Sequence, residues 1–146
     1  MTTSDDWHHF TSPIEEYIKR LSKTCDIITL KPSRAKTREK IIQEETEKIC
    51  LNLEKFRWYV LLCDEFGKTA TSVHFSWLLS RLQAEHGNIL FIIGGSYGVD
   101  RTMIQPYIHE TFWLSQFTLP HGLAFLTLIE QIYRAKEIEK WSGYHH

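Results

Sequence analysis

The chain has 146 residues, of which 42% are hydrophobic and 24% charged, with a formal charge of -1 from 17 Lys and Arg against 18 Asp and Glu. That length carries a single domain (residues 1–146) with its own core, and the composition excludes a disordered chain, a fibrous repeat and a uniformly basic nucleic-acid coat. No apolar run approaches the roughly 18 residues of a membrane span, and the polar, acidic start is no secretory signal.

Three cysteines, Cys25, Cys50 and Cys63, are an odd number and form no C-x-x-C pair. The reading is a reducing, cytoplasmic compartment with no disulfide framework and no metal site. The adjacent pairs His8-His9 and His145-His146 find no third ligand at a usual spacing, so they are not read as metal ligands.

Ser12, Pro13 and Glu15 mark a helix start, and the helix is expected to run to about Lys23. Residues 25–30 are rich in β-branched side chains and read as a strand, which Lys31-Pro32 ends. Basic residues then dominate: the stretch from Lys19 to Arg57 holds eleven of the seventeen, against six acidic ones. Its densest part, residues 31–40, contains Arg34, Lys36 and Arg38, which are candidates for contacts to RNA phosphates. Ile41, Ile42, Ile49 and Leu53 fall on one face of a long helix.

Residues 58–63 are almost continuously apolar, as a strand covered on both faces would be. Phe75, Leu78, Leu79 and Leu82 place a helix over residues 73–85, stopped by Gly87-Asn88. Ile89, Leu90, Phe91, Ile92 and Ile93 form the cleanest strand. A glycine loop, a short helix over residues 101–107, a strand over residues 111–115, a loop over residues 116–120 and a long helix over residues 123–140 complete the order. Alternating strands and helices predict an α/β fold with a mostly parallel sheet flanked by helices. Ligands of such sheets sit beyond the carboxyl ends of the strands. The loops placed there are residues 64–68, 94–98 and 116–120.

Gly94-Gly95-Ser96-Tyr97-Gly98 lets backbone come close to a ligand or simply turns the chain. It is neither a dinucleotide fingerprint nor a phosphate loop. Asp64 suits ligand contact, a cap or a turn. His121 follows Pro120 at a helix start, where a lone His is commonly a hydrogen-bonded structural residue. The chain ends on Tyr144, His145 and His146, side chains that can meet a base edge or move a proton near neutral pH.

Taken together, Leu62-Cys63-Asp64 with Gly67-Lys68, Phe91-Ile92-Ile93-Gly94-Gly95 with Gly98, Leu114-Ser115-Gln116-Phe117-Thr118-Leu119-Pro120-His121, Glu130 to Ala135 and the terminal Tyr144-His145 resemble the ribosomal large-subunit RNA pseudouridine N3-methyltransferase family of the SPOUT class. The resemblance covers most of the chain and is strongest from Tyr59 onward. It implies a C-terminal trefoil knot, a homodimer, S-adenosyl-L-methionine as cofactor, and ribosomal RNA within an assembled ribosome as substrate. It implies that Cys63, Gly94, Gly95, Leu114, Ser115, Gln116, Phe117, Thr118 and Leu119 hold the cofactor through main-chain groups. Tyr144 and His145 are then implied at the target base, with His145 as the proton acceptor.

The chain departs from the family at three places. Met1 to Phe10 shows no counterpart of the family's opening strand, so a sheet element is expected to be missing or rebuilt. Ser96-Tyr97 stands where the family carries Pro-Glu, and His146 stands where it carries a basic residue. These departures keep a second expectation in view: a homologue that binds cofactor and RNA with weakened catalysis.

Overall fold

The computed structural model describes residues 1–3, 8–21 and 24–140. Helix α1 (Thr11–Leu21) follows a short 3-10 turn, His8–Phe10. Helix α2 (Arg38–Leu53), strand β1 (Tyr59–Lys68), helix α3 (Ser72–His86) and strand β2 (Ile89–Ile93) come next. The short helix α4 (Arg101–Ile104) runs into a 3-10 turn, Gln105–Tyr107, before strand β3 (Glu110–Phe112) and helix α5 (His121–Glu139). The three strands form a parallel sheet in the order β2-β1-β3.

Two apolar layers cover this sheet, and the period-2 alternation of the strands assigns each side chain to one of them. Leu61, Ile93 and Phe112 join Ile14, Phe75, Leu79, Phe125 and Ile129 on the face carrying α1, α3 and α5. Val60, Leu62, Leu90 and Ile92 join Ile49, Leu53 and Ile104 on the face carrying α2 and α4. Burial on both sides explains why β1 and β2 read as continuous apolar runs. The helix ends are fixed locally. The Thr71 hydroxyl accepts from the His74 N–H, the Asp100 carboxylate accepts from the Met103 N–H, and Gly87 closes α3 at φ +74°.

Three expectations are corrected. Residues 25–30 are not a strand of the sheet: only Thr29 makes a bridge, to Thr2. The opening element is rebuilt rather than absent, since Thr2 bridges in parallel to both Thr29 and Ile93. Its N–H donates to Ile28 O at 3.0 Å, its carbonyl accepts from Leu30 N at 2.8 Å, and the Met1 carbonyl accepts from Ile93 N at 3.0 Å.

Residues 64–68, expected as a loop, continue β1. Cys63 and Lys68 both register against Phe112, so the chain between them bulges out of the ladder. Gly67 permits this, because a Cβ there would stand 2.6 Å from the Phe112 backbone. The strand expected at residues 111–115 is Glu110–Phe112, and the chain beyond it leaves the sheet.

Candidate functional site

Parallel strands bring their carboxyl ends to one edge, and here the ends lie in register. Cys63 pairs with Ile93 on one side and with Phe112 on the other. Beyond this row lies a pocket of about 190 Å³ lined by Cys63, Asp64, Glu65 and Ile93, by residues 113–119 and by Ala124. Its walls are mostly apolar, with Ser115, Gln116, Thr118 and two carboxylates converging on them. That mixture is typical of small-molecule clefts, although their usual volume, about 300–1,000 Å³, is larger.

Seven of the nine residues expected at a cofactor come together here: Cys63, Leu114, Ser115, Gln116, Phe117, Thr118 and Leu119. Gly94 and Gly95 follow Ile93 but do not line the pocket. Gly98 N donates to Gly95 O at 2.9 Å and Gly98 has φ +82°, so the stretch is a tight turn. A Cβ at Gly95 would lie 2.0 Å from Glu45 Oε2, and one at Gly94 would lie 2.9 Å from Val99 Cγ1. These glycines make room for the protein's own side chains. Sequence reasoning passed over Glu65, Ile93, Trp113 and Ala124. Ile93 carried a usable signal, because it closes the clean strand whose end had to abut Cys63.

The residue 114–119 loop has free main-chain groups. Among the described residues its N–H and C=O groups make no backbone–backbone hydrogen bond, and the one bond to its main chain runs from Phe117 N to Ser115 Oγ at 3.0 Å. Such a loop offers donors and acceptors to the edge of a planar heterocycle. The carboxylates add polarity: Asp64 pairs with Arg101 and accepts from Phe66 N at 3.0 Å, while Glu65 makes no ion pair among the described residues. Burial pushes the Cys63 thiol up to about 12, with Asp64 adding to the effect, so it is a neutral wall and not a nucleophile.

Leading out of the loop, His121 opens α5 and its Nε2 lies 2.9 Å from Thr2 Oγ1, which ties the pocket's last wall to the rebuilt opening element. The basic stretch sits apart from the pocket. Arg34, Lys36 and Lys40 line an open cleft with Thr37 and Glu44, and Arg38 stands over the Tyr97 ring at 5.7 Å. Tyr144 and His145 lie outside the described residues.

Comparison with known proteins adds an independent finding. A family model described as "Predicted SPOUT methyltransferase" matches residues 3–145. A protein of Nitrosomonas eutropha named "Ribosomal RNA large subunit methyltransferase H" is 37% identical over 134 residues, covering 89% of this chain and 85% of the relative. Proteins of the same name from Streptococcus equi subsp. zooepidemicus (40% identical, 90% of this chain and 87% of the relative) and Thermotoga neapolitana (30% identical, 90% and 85%) are similar along the same length.

Proposed function

The chain belongs to the SPOUT methyltransferase family, and from that premise we propose that it transfers a methyl group from S-adenosyl-L-methionine to N3 of a pseudouridine in large-subunit ribosomal RNA. The observation that carries this reading is the pocket beyond the paired Cys63, Ile93 and Phe112, walled by a loop whose main chain makes no backbone–backbone hydrogen bond among the described residues. Such walls suit an adenosine: flat apolar faces from Leu114, Leu119 and Ile93, and free N–H and C=O groups for the adenine edge. Asp64 and Glu65 place negative charge where the cofactor carries a sulfonium and an ammonium.

The cofactor supplies an already electrophilic methyl carbon. The protein's part is to hold that carbon in line with the acceptor nitrogen at about 3–3.5 Å and to receive a proton. Gly94 and Gly95 shape the turn that follows Ile93 beside the pocket, and their main chain is offered to the cofactor. His145 accepts the N3 proton as a neutral imidazole, and Tyr144 orients or stacks on the base. Arg34, Lys36 and Arg38 contact RNA phosphates.

As the family resemblance implies, the reading includes a homodimer in which the partner's C-terminal tail closes the site, together with the knotted chain path of the SPOUT class. The substrate is RNA already within the ribosome, and the compartment is the cytoplasm. No helix among the described residues is long and apolar enough to cross a membrane.

The deciding experiment is methyl transfer from labelled S-adenosyl-L-methionine to large ribosomal subunits that lack the modification, with nucleosides identified by mass spectrometry. Label on N3 of pseudouridine supports the reading. Cofactor binding by calorimetry with no label on RNA would leave a binding protein in its place.

A further inference from the structure

Two exposed aromatic rings are each covered by an arginine: Phe66 follows the pocket residues Asp64 and Glu65, and Tyr97 meets Arg38, which follows the cleft residues 34–37. The Arg38 guanidinium stands 5.7 Å from the centre of the Tyr97 ring, and the Arg101 guanidinium 3.6 Å from that of Phe66. Neither ring serves the core: Tyr97 is 49% exposed and Phe66 70% exposed. Both sit at the tips of backbone features that push them outward. Tyr97 occupies the turn closed by Gly95 and Gly98, and Phe66 rides the β1 bulge that Gly67 permits.

The pairs are linked along the chain. Tyr97 and Arg101 are four residues apart, so their Cα atoms are within about 14 Å. Asp64 lines the pocket and holds Arg101, while Arg38 opens the helix whose first turn and preceding residues form the basic cleft. That cleft carries a net positive charge, with Arg34, Lys36 and Lys40 against Glu44. Among the described residues none of Arg34, Lys36, Arg38 and Lys40 takes part in an ion pair.

Cations that meet no carboxylate suit phosphates, and aromatic faces backed by guanidinium planes are the surfaces on which unpaired bases stack. A protein partner would need a continuous apolar face, whereas here rings and positive charges alternate. We propose that Arg38–Tyr97 and Arg101–Phe66 are two stacking platforms for unpaired RNA bases, guiding the substrate strand from the basic cleft to the pocket. This rests on the reading that the substrate is RNA. It makes Tyr97 and Phe66 positioning residues that act on the strand and not on the methyl group.

The test compares wild type with Tyr97→Ala, Phe66→Ala and Tyr97→Phe, using large ribosomal subunits lacking the methyl group as probe. Each alanine variant is expected to raise KM for the subunits about tenfold, as removal of one stacked base would, with kcat and cofactor affinity held. Tyr97→Phe restores KM. The slope of affinity against salt stays at the wild-type value, because the cations that neutralise phosphates are all still in place.

Wild-type KM in both alanine variants overturns the proposal while leaving the methyltransferase reading intact. A changed oligomeric state in sedimentation overturns it in favour of an interface between copies of the chain. Wild-type protein that neither binds nor methylates the subunits removes the underlying reading, and the platforms with it.

Discussion

Glu45 and Gly95, fifty residues apart in sequence, compete for one space: a methyl group built on Gly95 would stand 2.0 Å from Glu45 Oε2 and 2.9 Å from Thr3 Oγ1. The carboxylate is not free to swing away. It is 5% exposed, its Oε2 accepts from the Thr3 hydroxyl at 3.0 Å, and its Oε1 accepts from Ser33 N at 2.9 Å. One buried acid thus joins α2, the opening element and the turn after β2. Gly95→Ala is expected to destabilise by about 1–3 kcal/mol, the usual range for overpacking. Urea denaturation measures this, and an unchanged midpoint would mean that the carboxylate relocates at no cost.

Gly67 presents a harder obstacle. The atoms its Cβ would meet are the backbone of Phe112, at 2.6 Å, and backbone cannot rotate aside. Gly67→Ala must therefore part β1 from β3 at the bulge, beside the Lys68 carbonyl that accepts from Trp113 N at 3.0 Å. Trp113 begins the pocket wall. The variant is expected to lose about 1–3 kcal/mol or more and also to weaken cofactor binding, which Gly95→Ala should largely spare. Thermal unfolding and calorimetry on the same samples separate the two effects.

Cys63 gives the molecule an alkaline signature. Its thiol is pushed up to about 12 by burial, against an ordinary value of 9.0. Above pH 9 the unfolded chain ionises this thiol while the folded chain keeps it protonated, so the native state binds more protons and stability falls as pH rises. The loss runs at up to about 1.4 kcal/mol per pH unit from 9 toward 12. Cys63→Ala removes this component. The stability gap between wild type and variant, taken from urea curves at pH 8, 9, 10 and 11, should be flat below 9 and drift against the wild type above it.

Arg34, Lys36 and Arg38 are outside the ion pairs of the described residues, so reversing them to Glu removes attraction without breaking a salt bridge. The triple variant is expected to bind large ribosomal subunits more weakly, with a salt slope reduced by roughly 0.7 for each single-strand phosphate it no longer neutralises. Cofactor affinity should not move. A simultaneous loss of both activities, with altered circular dichroism, would point to damage in the fold instead.

How far the sequence could be read depended on how local the deciding contact is. β2 was legible to the residue, because five apolar side chains stand between Asn88 and Gly94 and both sheet faces are covered. The extension of β1 was not, since Asp64, Glu65 and Gly67 suggest a loop, and it is the distant residues Glu110, Phe112 and Trp113 that keep Lys68 in the ladder. Residues 25–30 misled for the converse reason: β-branched side chains favour a strand, but among the described residues the one bridge they make is Thr29 to Thr2, and their apolar side chains pack on the core clusters instead. At the pocket, strand order placed a loop at residues 116–120, the family resemblance widened it to residues 114–119, and the structure lines one cleft with that stretch. The turn geometry of the glycine loop was legible in its glycines, but the fit of Gly95 against Glu45 was not, because nothing near Gly95 in sequence announces that contact.

His145 offers the sharpest division between binding and chemistry. It lies outside the described residues, and its proposed duty is confined to one proton. Methyl transfer to a neutral ring nitrogen needs that proton removed, and a positioned general base typically contributes 10²–10⁴-fold. His145→Ala is therefore expected to lower kcat by about that factor while S-adenosyl-L-methionine binds as in wild type, because the substitution leaves the described lining of the pocket unchanged. A variant that keeps wild-type turnover would assign the proton to another group and reduce the tail to a clamp on the base.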